Sequence, residues 1–240
     1  MKSSLLRVAL CALLVLHPKL ASAQTYPERA LTYVVPYPAG GAADVFARHL
    51  AQKLGERLGR PVVVENRASA NGNIGSDHVA KGSADGYTLL LGSASTITIN
   101  PHLYGRNMPY DPLKDLQAVS GTHAMANVLV VNNATPYKSV ADVIAAARQK
   151  PGVLAYASAG AGNTMHLAGE QSKMQAGIDF LHVPYKGGPP ALNDVLGGQI
   201  PMMFNNLPAI VPRGQERQAA GAGRGYTGPL ALAAGGADHG

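Results

Sequence analysis

Short apolar runs and amphipathic segments alternate along this chain from Leu31 to Asn206. The apolar runs are continuous, which is typical of strands buried on both faces of a parallel sheet. Clusters of Gly, Pro and Asn separate them from the amphipathic segments. The pattern predicts strands at residues 31–35, 61–66, 86–93, 127–133, 153–158, 180–185 and 200–206.

Helical spacing of apolar residues fills the intervals between these strands. The clearest case is residues 43–58, where leucines lie on one face and charged residues lie elsewhere. A second helix is predicted at residues 139–149, with Ser139 as its N-cap. Further helices are predicted from Gly75, after the glycine-rich loop near residue 160, and after residue 188.

Residues 100–116 contain Pro101, Pro109 and Pro112, and we predict a loop there. Elsewhere strand and helix alternate in two similar halves. The predicted fold class is therefore α/β, with two lobes that are each built on a parallel sheet.

The first 23 residues have the pattern of a secretory signal peptide. Lys2 and Arg7 precede or enter an apolar run, and Ala21-Ser22-Ala23 forms a small-residue cleavage site. We therefore expect export to the periplasm, with cleavage after Ala23. The single cysteine, Cys11, would leave with this peptide, so the mature chain would have no disulfide and no thiolate metal site.

The formal net charge of +6 does not indicate a nucleic-acid partner. Three of the basic residues lie in the signal peptide, and the others are scattered over the body of the chain. The small positive charge that remains after removal of the signal peptide cannot neutralise a nucleic-acid phosphate backbone. Tryptophan is absent and aromatic residues make up 5% of the chain, so stacking platforms are not expected either. The charge is compatible with an exported protein that binds small anions.

Two glycine-rich loops follow a strand and open a helix: PYPAGGAAD after residues 31–35, and SAGAGNTMH after residues 153–158. Small residues allow backbone amides to approach a ligand, and a helix N-terminus favours negative charge. A third loop, YKGGPP, adds the hydroxyl of Tyr185 and the ammonium of Lys186. A carboxylate or phosphate ligand would suit all three. Asp44 has two interpretations, as a helix-terminal residue that serves the dipole or as a polar contact to the ligand.

Catalytic and metal motifs are not found. The chain contains no G-x-S-x-G, H-E-x-x-H or complete Walker loop. His166 and Glu170 lie one helical turn apart, but no third metal ligand accompanies them, so we favour a packing or helix-terminal role for His166. We predict no catalytic residue, no metal and no cofactor.

Five segments together resemble the solute receptors of tripartite tricarboxylate transporters, the Bug-type periplasmic binding proteins. These segments are residues 26–48, 59–93, 100–119, 151–170 and 182–204, and the resemblance extends from Tyr26 to Pro212. It implies a two-lobe periplasmic-binding-protein fold of type II that closes on a small organic carboxylate. It also implies presentation of that ligand by a monomeric receptor to the two membrane permease subunits of the transporter.

The resemblance implies a set of ligand-binding residues in both lobes. Backbone amides of the loop from Tyr37 to Gly41 would hold the carboxylate, and loops of the facing lobe would complete the site. The full set is Tyr37, Pro38, Ala39, Gly40, Gly41, Asp44, Ser93, Ser95, Ser158, Gly160, Gly162, Asn163, Thr164, Tyr185, Lys186 and Gly187.

Residues 213–240 depart from both the pattern and the resemblance. They are rich in Gly and Ala without periodicity, whereas the family continues with a segment like V-K-S-G-K-L-R-A-L. Codons for residues 214–223 can be chosen that encode this segment when they are read one base later. We therefore expect a frameshift near Pro212 and a fold that is truncated at its C-terminus.

The expected organisation is a signal peptide (1–23), a first lobe (24–124) that lacks its return segment, a second lobe (125–212) and an out-of-frame tail (213–240). Loss of the return segment would uncover core faces of the first lobe, so we expect poor folding or weak binding. Two alternatives to a working receptor remain open: an exported enzyme that acts on an anionic substrate, and a non-functional receptor remnant.

Overall fold

The computed structural model describes residues 26–210. The predicted signal peptide and the tail from residue 213 lie outside the described residues. Strand and helix alternate along the described chain and form two sheets. The α/β prediction is confirmed.

The first sheet has three parallel strands. β1 (Leu31–Val35) lies between β2 (Val62–Asn66) and β3 (Thr88–Leu90). Helix α1 (Ala42–Leu58) connects β1 to β2, and α2 (Asn73–Ala80) connects β2 to β3. Such crossovers are what parallel neighbours require.

Helix α1 covers one face of this sheet with small residues. Ala47 and Ala51 pack there against Tyr33, Val35 and Leu91, all of which are buried. Burial of apolar surface contributes about 25 cal/mol per Å², so this contact stabilises the first sheet.

The prediction of a loop over residues 100–116 is wrong at its start. A π-helical turn (Ser95–Ile99) continues into α3 (Asn100–Tyr104), and Pro101 occupies the first turn of α3. Proline is tolerated there because the amide it lacks has no obligatory helical partner. Five residues earlier, the Thr96 carbonyl accepts a hydrogen bond of 2.7 Å from the Tyr110 hydroxyl instead.

The second sheet has four strands in the order β4 (Asn127–Val131), β7 (Met202–Asn206), β5 (Ala155–Ser158) and β6 (Leu181–Pro184). β5 is parallel to β6 and β7, but β4 is antiparallel to β7. The prediction of a wholly parallel second sheet is therefore wrong. A continuous apolar run indicates burial on both faces and carries no information about strand direction.

Helices cover both faces of the second sheet. On one face, α4 (Val140–Gln149) and α5 (Thr164–Ala176) bury a core around Tyr156 and Phe204. On the other face, α6 (Gly188–Leu196) packs its apolar residues against Met203. We call residues 26–110 the first lobe and residues 127–206 the second lobe; the boundary expected after residue 124 stays a prediction.

Helix α4 begins as predicted. The Ser139 side chain accepts a hydrogen bond of 3.2 Å from the Asp142 amide, and the Asp142 carboxylate accepts one of 2.8 Å from the Ser139 amide. This reciprocal pair is a capping box. None of the helices between residues 26 and 210 is both long and apolar enough to cross a membrane.

Candidate functional site

A cleft of about 1850 Å³ separates the two lobes. Small-molecule sites usually occupy about 300–1,000 Å³, so a small ligand would fill only part of it. Of the predicted ligand-binding residues, Asp44, Ser158, Gly162 and Ala39 lie outside the lining. The structure brings the other predicted residues together along the cleft: Tyr37, Pro38, Gly40, Gly41, Ser93, Ser95, Gly160, Asn163, Thr164, Tyr185, Lys186 and Gly187.

Helix α1 begins at the cleft without a side-chain cap. Its N-cap is Gly41, in extended conformation, and it has no side chain to accept the first helical amides. Gly40 precedes it with φ of +76°, a left-handed conformation that residues with a side chain rarely adopt. The start of α1 therefore presents amides and the positive end of its dipole to the cleft.

Asp44 lies outside the cleft lining and fixes this loop by hydrogen bonds. Its carboxylate accepts hydrogen bonds from the Gly40 amide (2.9 Å), Arg48 Nε (3.0 Å) and Asn66 Nδ2 (2.9 Å). The residue is 3% exposed. Burial acts to raise the pKa of Asp44, but the hydrogen bonds from Arg48, Gly40 and Asn66 outweigh it and lower that pKa. These contacts favour the helix-terminal interpretation of Asp44.

The serines predicted at the end of β3 lie beside Tyr37. The Tyr37 hydroxyl is hydrogen-bonded to Ser93 Oγ, and Ser95 is buried in the π-helical turn. Burial raises the pKa of Tyr37, and hydrogen bonds with Ser93 and Ser95 oppose that rise. The phenol is therefore neutral at pH 7 and can act as hydrogen-bond donor or acceptor.

The second-lobe loop that precedes α5, residues 158–163, differs from the first because its helix is capped. Asn163 Oδ1 accepts 3.0 Å hydrogen bonds from the amides of Met165 and His166. His166 Nδ1 in turn accepts a 3.0 Å hydrogen bond from the Gly162 amide. At this helix start several amides already have partners in the protein. The helix-terminal location that we favoured for His166 is confirmed.

Ser158 is also engaged within the protein. Its hydroxyl, which is fully buried, lies 2.7 Å from His182 Nε2 and donates to the Gly160 carbonyl at 2.9 Å. The Gly160 amide donates to the same hydroxyl at 3.1 Å. Ser158 therefore shapes the loop from outside the cleft.

The third loop contributes an exposed cation and few amides. Lys186 is exposed on the cleft, whereas the Tyr185 hydroxyl donates to Asp194 at 2.7 Å. This hydrogen bond is the first cause of the raised pKa of Tyr185. Helix α6 then begins Gly188-Pro189-Pro190, and the two prolines have no amide hydrogen to offer a ligand.

The two lobes touch at a pair of glycines. A methyl group built on Gly187 would lie 2.6 Å from Pro38 Cγ, and one on Gly162 would overlap Leu103. Neither position has room for a side chain while the lobes are this close. We call the contacts Pro38–Gly187 and Leu103–Gly162 the lips of the cleft.

Four asparagines in the lining were missed by the sequence analysis: Asn71, Asn127, Asn205 and Asn206. Asn127 begins β4 and pairs with Asn206 at the end of β7, and Asn205 precedes Asn206. Asparagine at the end of an apolar strand was the available signal, because strand ends meet at the cleft edge. Asn71 adopts φ of +54° and donates to Asn100 Oδ1 at 2.8 Å.

The described residues contain no cluster of three or more His, Asp or Glu side chains that could hold a metal ion. His166 Nε2 and Glu170 Oε1, the pair one helical turn apart, are 3.8 Å from each other. Glu170 is bound by Lys173 and by the Tyr156 hydroxyl. The site therefore offers amides, hydroxyls, side-chain amides and one lysine to a ligand.

Relatives with curated sequences resemble this chain over most of its length. BugT of Bordetella pertussis (strain Tohama I) is 42% identical over 190 residues, which are 79% of this chain and 58% of BugT. The UPF0065 protein in the tcbD-tcbE intergenic region of Pseudomonas sp. (strain P51) is 40% identical over 182 residues, 76% of this chain and 54% of that protein. The chain thus spans little more than half the length of these relatives.

Solved structures share the fold. R. palustris Rpa4515 with adipate has a TM-score of 0.77 at 37% identity, covering 86% of this chain and 67% of that one. MatC from Rhodopseudomonas palustris with bound malate has a TM-score of 0.74 at 26% identity, covering 86% and 68%. These similarities agree with the predicted two-lobe periplasmic-binding-protein architecture.

A family model described as the tripartite tricarboxylate transporter family receptor matches residues 46–220. This match takes in most of the first lobe and all of the second, including both glycines of the lips. The chain belongs to the tripartite tricarboxylate transporter receptor family.

Proposed function

We propose that this chain binds a small organic carboxylate in the cleft and delivers it to a tripartite tricarboxylate-type membrane permease. The single observation that carries this proposal is the uncapped start of α1 at the cleft, where Gly41 leaves helical amides available. A carboxylate satisfies such amides and interacts favourably with the helix dipole. The adipate and malate of two structural neighbours are ligands of this chemical class.

A ligand with a carboxylate group at each end would suit the cleft better than a ligand with a single carboxylate group. The start of α1 would hold one carboxylate, and Lys186 on the facing lobe offers a cation for the other. Asn127 and Asn206 add side-chain amides to the lining of the cleft. We therefore place dicarboxylates first among the candidate ligands, ahead of monocarboxylates.

Binding is favoured over catalysis by the way the serine and histidine of the second lobe are used. Ser158 and His182 are close enough for an activated nucleophile. However, the Ser158 hydroxyl is fully buried outside the cleft lining and is committed to Gly160. A substrate in the cleft would not reach it, so we propose a receptor rather than an enzyme.

Periplasmic location, a monomeric state and contact with the permease subunits are parts of the same proposal. The predicted signal peptide supports export, and the family of receptors supports a transporter as partner. The alternative of a non-functional remnant rests on the expected frameshift near Pro212. It predicts a protein that is unfolded at 25 °C and recovers when the frame is restored.

Thermal unfolding with and without carboxylates tests the proposal. Adipate, malate, citrate and acetate would each be titrated, and a ligand should stabilise the folded chain by RT ln(1 + [L]/Kd). Mass spectrometry of the recovered ligand separates binding from turnover. No stabilisation by any carboxylate, in a protein that circular dichroism reports as folded, would overturn the proposal. Chemical conversion of the ligand would favour an enzyme.

A further inference from the structure

We propose that His166 is a positioning residue for the second-lobe loop, residues 158–163. It acts through the 3.0 Å hydrogen bond that its Nδ1 accepts from the Gly162 amide. This inference rests on the proposed function, because the loop matters only if a ligand binds in the cleft. His166 itself lies outside the cleft lining.

The hydrogen bond requires one form of the imidazole. Nδ1 can accept only when it carries no hydrogen, so the ring must be neutral with its hydrogen on Nε2. Nε2 lies 3.8 Å from Glu170 Oε1, which is compatible with that tautomer. Protonation would place a hydrogen on Nδ1 facing the amide hydrogen of Gly162. The bond would then be lost.

A second imidazole holds the other end of the loop. The rings of His166 and His182 are stacked with centroids 4.0 Å apart, and His182 Nε2 lies 2.7 Å from Ser158 Oγ. The Ser158 hydroxyl also lies 2.9 Å from the Gly160 carbonyl, so His182 and Gly160 are both hydrogen-bond partners of Ser158. The two stacked rings therefore hold the first residue of the loop, Ser158, and the residue before the N-cap, Gly162.

The surroundings of the stacked pair keep both rings neutral at pH 7. Tyr156 stacks on the far side of His182 with centroids 5.0 Å apart. Burial is the largest cause that lowers the pKa of His166, and Glu170 opposes it. Burial, followed by repulsion from His166, lowers the pKa of His182 to about 4. Lys173 lowers both values further.

The charges around the pair come from one helix and one turn. Glu170 and Lys173 lie on α5 and pair at 3.2 Å, and Lys173 also binds Asp179 at 3.1 Å. The attraction of Glu170 for a proton on His166 is thus partly neutralised by its partner lysine. His166 is expected to gain a proton only as the pH falls below the ordinary histidine value of 6.5.

Two substitutions separate positioning from mere packing. His166→Gln keeps an acceptor oxygen on a side chain that cannot titrate, whereas His166→Leu keeps an apolar side chain without an acceptor. At pH 7.5 we expect His166→Leu to weaken adipate or malate binding about tenfold, the loss of about one amide hydrogen bond. His166→Gln should stay within about threefold of the wild type.

The decisive measurement needs no ligand. In ¹⁵N-labelled full chain, the Gly162 amide shift should move together with the His166 ring signals between pH 8 and pH 4, and it should not move in His166→Gln. A Gly162 amide shift that stays constant while His166 titrates would overturn the inference. This measurement does not depend on whether His166→Leu folds. If the amide titrates but no carboxylate binds, the positioning role stands and the proposed function fails.

Calorimetric titration with adipate and malate supplies the second arm. Carboxylic acids take up protons themselves below about pH 5, so the wild type is compared with His166→Gln at each pH. The ligand titrates equally in both, and only the wild type loses its imidazole acceptor. Equal affinities for wild type and His166→Leu at pH 7.5 would contradict the positioning role.

Discussion

The starts of α1 and α5 share one arrangement of hydrogen bonds but differ at the N-cap. In each, a left-handed glycine precedes the N-cap, with φ of +76° at Gly40 and +80° at Gly162. In each, the side chain four residues later accepts the amide of that glycine: Asp44 in the first lobe and His166 in the second. The N-caps differ, because Gly41 has no side chain and Asn163 caps two amides.

This difference gives the two helix starts different roles. At α1 the first helical amides stay available for an anion in the cleft, whereas at α5 the Asn163 side chain has taken two of them. A glycine-rich loop before a helix is therefore insufficient evidence for an anion site. The residue at the N-cap decides whether the amides are offered to a ligand or satisfied internally.

We call the hydrogen bond from each glycine amide to the side chain four residues later a tie. The largest expected effect comes from removing the tie at α1, between Gly40 and Asp44. Asp44→Ala would leave the Gly40 amide, Asn66 and Arg48 without their shared acceptor. We expect a loss of about 1–3 kcal/mol in the free energy of unfolding, because the Gly40 and Asn66 amides lose a buried acceptor, whereas Arg48 is half exposed. Chemical denaturation measures it. Asp44→Asn, which keeps the shape and one acceptor oxygen, should lose clearly less; equal losses would contradict the role of the carboxylate.

Filling the empty N-cap should affect binding more than stability. Gly41→Asp would cap α1 and place a negative charge at the proposed carboxylate position, so we expect at least about 100-fold weaker binding of adipate or malate. Stability should rise by about a few tenths of a kcal/mol. Calorimetry and thermal unfolding measure the two effects.

Two controls accompany this substitution. A side chain at Gly41 meets Pro38 O and Pro189 Cδ at ordinary contact distances of 3.5 and 3.9 Å, so Gly41→Ala tests for steric hindrance alone. Gly41→Asn caps the helix without adding charge. Retained binding in Gly41→Asp, or equal loss in Gly41→Ala, would refute the assignment of the carboxylate to the start of α1.

The reverse experiment removes the existing cap at α5. Asn163→Ala would leave the amides of Met165 and His166 unpaired at a position that is 6% exposed. We expect a loss of about 1–2 kcal/mol in stability and less than threefold in carboxylate affinity. Asn163→Asp should keep the stability. A loss of binding as large as that of Gly41→Asp would show that the two helix starts act alike.

The smallest effect is a difference in the pH at which the two ties open. The lowered pKa of Asp44 means that its tie is retained at neutral pH and lost as pH falls below 3.8 and through the folded pKa. The lowered pKa of His166 means that its tie begins to open below 6.5, because the imidazole must stay neutral. Between these limits only the Gly162 amide should shift in NMR spectra, while Gly40 stays constant. Simultaneous shifts would contradict the two separate ties.

Much of the fold follows from local patterns. β1 lies where the run LTYVV predicted it, and α1 begins one residue before the predicted start. The antiparallel pairing of β4 with β7 was not predictable, because it depends on the path of the chain between the lobes. The helical turn before Pro101 was missed because Tyr110, a residue distant in sequence, satisfies the Thr96 carbonyl.

The candidate site was predictable to the level of loops and not of atoms. The motifs A-G-G-A-A-D and A-G-N-T-M-H carry the same ties, yet only three-dimensional contacts reveal that Asp44 and His166 are directed toward the glycine amides. Three of the cleft asparagines, Asn127, Asn205 and Asn206, come from strand ends that meet only after folding. Prediction therefore located loops that line the cleft, but it did not identify which of their amides are hydrogen-bonded within the protein.

The lips of the cleft have a consequence for the time that a ligand stays bound. Pro38 and Leu103 meet their glycines through apolar side-chain atoms, so parting the lips breaks no polar bond there. The lifetime of the complex is then governed by the contacts of the ligand itself, and weakly held carboxylates should leave quickly. A hydrogen bond introduced across the lips would slow release without touching the ligand.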